Sequence, residues 1–168
     1  MGGVFARQAI HDAFMNGPEH LIEFFHGYTY SAHPLACAAA VGAIRAMEDD
    51  DLIEHAARIG TDVLGPGLRE LATRHASVGE VRGLGCFFAV ELVKDPETRE
   101  GLVPFNASGE AAKPMVEVMN ACKQAGLWPF SHFNRIHMAP PLIVTAVEVA
   151  RALAILDDAL AVADGFVT

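Results

Sequence analysis

The sequence predicts an α/β protein whose later part, from about residue 78 onward, is an α+β layer of strands flanked by helices. Three observations carry that expectation. Apolar residues over 52–75 (Leu52, Ile53, Ala56, Ile59, Val63, Leu64, Leu68, Leu71) recur close to a 3.6 period, which marks a helix with one covered face. Over 78–93 the pattern switches to a β-branched and aromatic run around Gly83-Leu84-Gly85. Near the end, Thr145 and Glu148 stand at capping-box spacing ahead of a long apolar helix.

Taken in order, 1–6 reads as a strand or strand end, its glycines permitting close packing. Residues 7–16 form a short amphipathic helix with Ile10, Phe14 and Met15 on one side, and the apolar stretch 21–25 is ambiguous in type. An alanine-rich helix over 34–47, buried along most of its surface, starts on Pro34, whose missing N–H costs nothing in a first turn. The acidic cluster Glu48, Asp49, Asp50 and Asp51 ends it, and Asp50 or Asp51 is the candidate cap of the next helix. That helix, 52–75, carries Gly65-Pro66-Gly67 and is expected to break or kink there. Residues 78–93 are two strands, or one bent strand, around a glycine bulge.

Residues 94–109 are polar and turn-rich, a surface excursion. Residues 114–125 form a helix with Met115, Val118, Met119 and Cys122 inward, ended by Gly126 at C′. Short strands follow at 127–130 and 135–138, joined by 131–134, and Pro140-Pro141 stops the second. The final helix turns Val149, Leu153, Leu156, Leu160 and Val162 inward. Three segments result: 1–50, which reads as the edge of something larger; 51–75, a connecting helix; and 76–168, a small α/β domain.

Composition narrows the function. Hydrophobic residues are 52% and charged residues 20%, which suits a core-forming protein rather than a disordered one. A net charge of -9 leaves no basic stripe for nucleic acid. No segment has the apolar length of a membrane span, and no basic-then-apolar leader opens the chain. Cys37, Cys86 and Cys122 lack CxxC spacing, so free thiols and a cytoplasmic setting are expected. His20, His26 and His33 are irregularly spaced with no completing ligands, so no metal is expected.

The densest functional signal is Gly27-Tyr28-Thr29-Tyr30-Ser31-Ala32-His33-Pro34, which reads as an extended, hydroxyl-rich loop entering a helix. Helix-start N–H groups beside hydroxyls of Tyr28, Thr29 and Ser31 suit an anion. The string T-Y-S-x-H-P resembles a signature of the class III (omega) aminotransferases, which use pyridoxal phosphate (PLP). Gly2-Gly3-Val4-Phe5-Ala6-Arg7, Val78-Gly79-Glu80-Val81-Arg82-Gly83-Leu84-Gly85 and the run from Arg135 to Thr145 are similar to further family segments in the same order.

The resemblance implies the C-terminal part of a fold-type-I PLP-dependent transferase: 1–50 as the end of the PLP-binding large domain, 76–168 as the small domain. It implies that Thr29, bordered by Tyr28 and Gly27, binds the cofactor phosphate across a homodimer interface. It places the lysine that holds PLP shortly before the segment matching Met1, outside these residues. Lys94, Lys113 and Lys123 sit in no matching context and read as solvated charges.

Transamination needs that amine and an acid at the pyridine nitrogen. The chain by itself is therefore expected to be inactive, with a parent that moves an amino group from an omega-amino acid or amine to a 2-oxo acid such as pyruvate or 2-oxoglutarate. Arg135 and His137, two apart on a strand, share a face. The resemblance puts His137 where many members carry a substrate-carboxylate arginine, so Arg135 takes over that role or the acidic group differs. Arg82 is a third candidate, or a structural guanidinium. The resemblance puts a mobile arginine of the omega-amine branch near the preceding strand, where this chain has the apolar Trp128-Pro129-Phe130; Trp128 and Phe130 are equally well explained as core. His33 reads as structural, bonded to loop backbone. A non-catalytic dimerising module, and an aminomutase or racemase on the same fold, remain the alternatives. Apolar surface left uncovered predicts a homodimer or larger assembly.

Overall fold

Short-range signals set most element starts in the computed structural model, which describes residues 2–20 and 27–168. Packing divides the chain into two units, Met1–Asp50 and Asp51–Thr168. In the first, α1 (Gln8–Phe14) forms, with Ile10, Phe14 and Met15 each about half exposed. Residues 2–6 are irregular rather than a strand. A strand persists only with a ladder partner, and none lies beside this segment among the described residues. The ambiguous run 21–25 lies outside the described residues.

Pro34 opens α2 (Pro34–Asp49), as its fixed φ favours. The helix runs through Glu48 and Asp49, but the expected burial is absent: it buries no residue, and Leu35 is 76% exposed. Alanine supplies helix propensity without any cover. Among the described residues of this unit, no element packs closely over α2.

The second unit starts at Asp51, whose backbone is left-handed (φ 51°) and which precedes α3 (Leu52–Ile59). Its carboxylate does not cap the helix; it accepts from Arg58 at 3.2 and 3.3 Å. Gly65-Pro66-Gly67 does not break the path into α4 (Gly65–Arg74). Pro66 lacks an N–H and its ring needs room against the carbonyl four residues back. A π turn over Gly60–Leu64, closed by the Gly65 N–H on the Gly60 carbonyl, widens the helix there.

Strands β1 (Val78–Leu84) and β2 (Phe87–Asp95) form a hairpin in which Leu84 pairs with Phe87. Its turn is Gly85-Cys86, with Gly85 at φ 55°, the sign a II′ turn wants in its first central residue. The irregularity sits between Val78 and Glu80 rather than at Gly83-Leu84-Gly85. The next segment is only partly a surface excursion. Asp95 accepts from the Glu97 and Thr98 N–H groups, and the chain returns as β3 (Glu100–Gly101) on β2, burying Leu102 and Val103.

Helix α5 (Lys113–Gln124) buries Met115, Val118, Met119 and Cys122, as its period requires. Gly126 (φ 91°) ends it in a Schellman motif: Leu127 N–H reaches the Cys122 carbonyl and Gly126 N–H that of Lys123. That exit occupies Leu127, so β4 starts later than expected, at Phe130–His132. The turn to β5 (Arg135–Met138) is Phe133-Asn134. Sheet order is β1-β2-β5-β4, with β3 extending the ladder on β2. Finally, α6 (Ala146–Asp164) begins with the full capping box of Thr145 and Glu148 and buries Val149, Leu156 and Leu160; Leu153 and Val162 are part-buried. Phe88, Val90, Leu92, Ile136 and Met138 face the helices and form the core with Leu64, Leu68, Val118 and Leu156.

Candidate functional site

Each unit carries one candidate surface. In the first, 27–33 is not extended. Ser31 N–H bonds the Tyr28 carbonyl (2.9 Å) and His33 N–H that of Tyr30 (3.3 Å), with Tyr30 and Ala32 at φ 68° and 57°. These turns coil Thr29, Tyr30 and Ser31 against the start of α2. The Thr29 and Ser31 hydroxyls make no hydrogen bond among the described residues, so Thr29 does not cap its own backbone. Pro34 has no N–H, and those of Leu35 and Ala36 lack intrahelical partners by the geometry of a first turn. Neutral hydroxyl and N–H donors at a helix start suit a phosphate group, so the residues present fit part of a PLP phosphate cradle. His33 donates no side-chain cap; its ring lies 6.4 Å from that of Tyr30.

The second surface is the sheet face turned away from the helices. Alternation along β5 buries Ile136 and Met138 and leaves Arg135 and His137 together on the other side. Cross-strand register extends that face in two rows: Arg82, Ala89, His137 and Phe130, then Glu80, Glu91, Arg135 and His132. The His137 ring stacks on Phe87 (5.8 Å, 14°) and tilts against Phe130 (5.4 Å).

Two guanidinium groups, Arg82 and Arg135, lie on this face, and their partners differ. Arg82 donates to Glu80 (2.7 Å) and to Glu91 (3.0 Å). Glu91 lies directly across the ladder from Arg135, yet its carboxylate is committed to Arg82. Arg135 has no ion-pair partner among the described residues and only the Phe133 ring at 5.7 Å. Arg135 Nε and His137 Nδ1 are both buried without a hydrogen-bond partner. Buried donors and acceptors are normally satisfied, so two orphans two residues apart mark a place where another group completes the bonding. Burial, followed by the charges of Arg135, His132 and Arg82, pushes the His137 pKa down.

Trp128 and Phe130 are not core residues; they are 77% and 66% exposed. They border a cleft of about 390 Å³ that His137, Pro140 and Pro141 also line. The lysines are occupied elsewhere: Lys94 pairs with Glu100 (2.8 Å), Lys113 approaches Glu117 (3.9 Å), and Lys123 lies over the Trp128 ring. Among the described residues no cluster of His, Cys, Asp or Glu is arranged to hold a metal ion, and no helix is long and apolar enough to cross a membrane. Sequence reasoning missed Phe87 and Glu91 as members of this face. Period-two alternation from the core-facing Phe88, Val90 and Leu92 was the signal that places them.

An antiparallel sheet with helices on one face is the α/β small domain found in the C-terminal portion of fold-type-I PLP-dependent transferases. The chain belongs to that fold's class III branch: the family described as "Aminotransferase class-III" matches residues 1–160. It is 36% identical over 151 residues to an omega-aminotransferase of Caulobacter vibrioides, covering 89% of this chain and 31% of that protein. Among solved structures it resembles a PLP-bound amine transaminase from an uncultivated Pseudomonas species (TM-score 0.75, 38% identity, 92% of this chain and 33% of that one). It also resembles the taurine:2-oxoglutarate aminotransferase of Bifidobacterium kashiwanohense in complex with PLP and glutamate (TM-score 0.75, 32% identity, 93% and 33%). The chain thus spans about a third of the length of these relatives.

Proposed function

We propose that this chain serves a PLP-dependent aminotransferase that moves an amino group from an omega-amino acid or amine to a 2-oxo acid, in the cytoplasm and as a homodimer or larger homo-oligomer. Residues 1–50 then close the large domain, 51–75 connect, and 76–168 form the small domain. Thr29, with Tyr28 and Gly27, holds the cofactor phosphate through neutral donors. The cofactor, when bound, supplies the electron sink that amino transfer needs. Arg135 and His137 orient the donor by its acidic group, while Arg82, paired with Glu80 and Glu91, keeps the structural role. The names of the relatives, which specify omega-amino, amine and taurine chemistry, support this reading.

The observation that carries it is the pair of buried, unpartnered atoms Arg135 Nε and His137 Nδ1. Arg82 already serves two carboxylates, so Arg135 is the cation left for a carboxylate or sulfonate. His137, whose pKa burial and the nearby positive groups push down, favours the neutral ring and so adds a hydrogen bond beside the Arg135 charge.

An anion beside His137 favours the imidazolium, so β-alanine or propionate is expected to raise the His137 titration midpoint in NMR spectra of the 168-residue chain. Arg135→Met is expected to abolish that movement; an unmoved His137 in the native chain sinks the acid-group assignment. Because Lys94, Lys113 and Lys123 lie in no context that matches the family's cofactor lysine, the chain by itself is expected to show no Schiff-base absorption band on PLP titration and no transaminase turnover. Either signal from the purified chain overturns this part of the reading.

A further inference from the structure

Outside the candidate site, a close cluster of titratable groups among the described residues lies between the helices. His75 follows α4 and is 8% exposed. Its Nδ1 lies 2.6 Å from Asp164 Oδ2 and its Nε2 lies 2.7 Å from Asp157 Oδ1. The two aspartates stand seven apart on α6, two turns along one face. Each carboxylate has a second donor: Arg74 Nη1 reaches Asp157 (2.9 Å), while the Ser77 N–H and hydroxyl reach Asp164 (3.0 and 2.7 Å). Ser77 also accepts from Val93 N–H, which ties the cluster to β2.

An ionised carboxylate only accepts hydrogen bonds, so both ring nitrogens must carry hydrogen. We propose that His75 is a doubly protonated clamp fastening α6 to the connection between α4 and β1, so that one proton sets how firmly the carboxy-terminal helix is held. None of the candidate-site residues takes part, and the clamp stands or falls independently of the catalytic reading.

The electrostatics agree. Burial opposes the charge on His75, but the hydrogen bonds and charges of Asp157 and Asp164 outweigh it and raise its pKa. The His75 hydrogen bond is the main cause that lowers Asp157. Asp164 is lowered against its burial by the Ser77 N–H and hydroxyl, then by His75. The charges acting on the ring are those two carboxylates from α6. From α4, Arg74 ends on Asp157, with Glu70 4.0 Å from Arg74, and the segment entering β1 brings Ser77, which is uncharged.

The sign of the pH dependence follows. A raised histidine contributes in full below its unfolded value and loses that contribution as pH rises through the folded one. A lowered aspartate contributes above its unfolded value and loses it as pH falls through the folded one. The clamp is therefore closed from the acid side of the carboxylate range through neutrality, and it opens above the ordinary histidine range.

Long-range ¹H–¹⁵N spectra of the 168-residue chain between pH ~5 and ~9 test this directly. The expected result is an imidazolium signature on both His75 nitrogens at neutral pH, with a midpoint above the ordinary histidine range. A neutral His75 ring at neutral pH overturns the proposal. Denaturant midpoints supply a second readout: the native chain loses stability through the His75 titration, and His75→Gln lacks that alkaline step. An alkaline step of unchanged size in His75→Gln also overturns it. Should His75→Gln fail to fold, Asp157→Asn is expected to lower the His75 midpoint, and a midpoint that stays in place counts against the clamp.

Discussion

Gly60→Ala lowers the stability of the Asp51–Thr168 unit by about 3 kcal/mol, an unfolding shift on the order of 10 °C. Helix propensity alone argues the other way, since replacing glycine by alanine inside a helix gains about 1 kcal/mol. The space decides the sign. A Cβ at Gly60 would overlap the Gly85 carbonyl oxygen, with the carbonyl carbon 2.5 Å and the Gly85 Cα 2.8 Å away. These are backbone atoms of the β1–β2 turn and cannot rotate aside as a side chain does. The π turn and the hairpin tip touch main chain to main chain, and that contact fixes the hairpin that carries Arg82 and Phe87. Gly42→Ala in α2, where nothing lies within 4 Å, is the control and is expected to be neutral or stabilising. Thermal unfolding of both variants decides the matter; a Gly60→Ala chain as stable as the native one refutes the close approach.

Phe88→Ala is the larger loss, about 3–5 kcal/mol, because it combines lost burial with a cavity that cannot collapse. Phe88 is 3% exposed. Its ring fills the space that glycine leaves on two sides: a Cβ at Gly83 would lie 2.5 Å from Phe88 Cγ, and one at Gly65 would lie 3.0 Å from Phe88 Cζ. Strand and helix thus interlock through one ring. Phe87→Ala, one residue away, is expected to cost no more than about 1 kcal/mol, since Phe87 is 58% exposed and packs mainly on His137. Chemical denaturation of the pair measures the contrast. Equal losses would mean that β2 is out of register by one residue, which would also turn Ala89 and Glu91 to the wrong face.

Much of this was legible in the residues. Met115, Val118, Met119 and Cys122 repeat at helical spacing and are the residues α5 buries. Gly126 and the Thr145–Glu148 box end and begin their helices as local hydrogen-bond chemistry requires. Pro34 opens α2, and the spacing of Arg135 and His137 puts them on one face. Other features were not legible. The run Phe87-Phe88-Ala89-Val90 does not declare which phenylalanine is inside. Alanine content does not reveal whether α2 is covered, and Trp128 and Phe130 read as core although both are exposed.

By itself, then, the sequence determined where α2 and α6 begin and where α5 ends, the membership in the class III aminotransferases and the side-by-side placement of Arg135 and His137. Only the tertiary structure decided that Glu91 goes to Arg82 and leaves Arg135 alone, that Phe87 flanks His137, and that His75 joins two aspartates of α6. Caps, prolines and periodicity act through hydrogen bonds within a few residues of chain. The partner of a charge depends instead on strand register and helix packing that bring together residues as much as 89 positions apart, as His75 and Asp164 are.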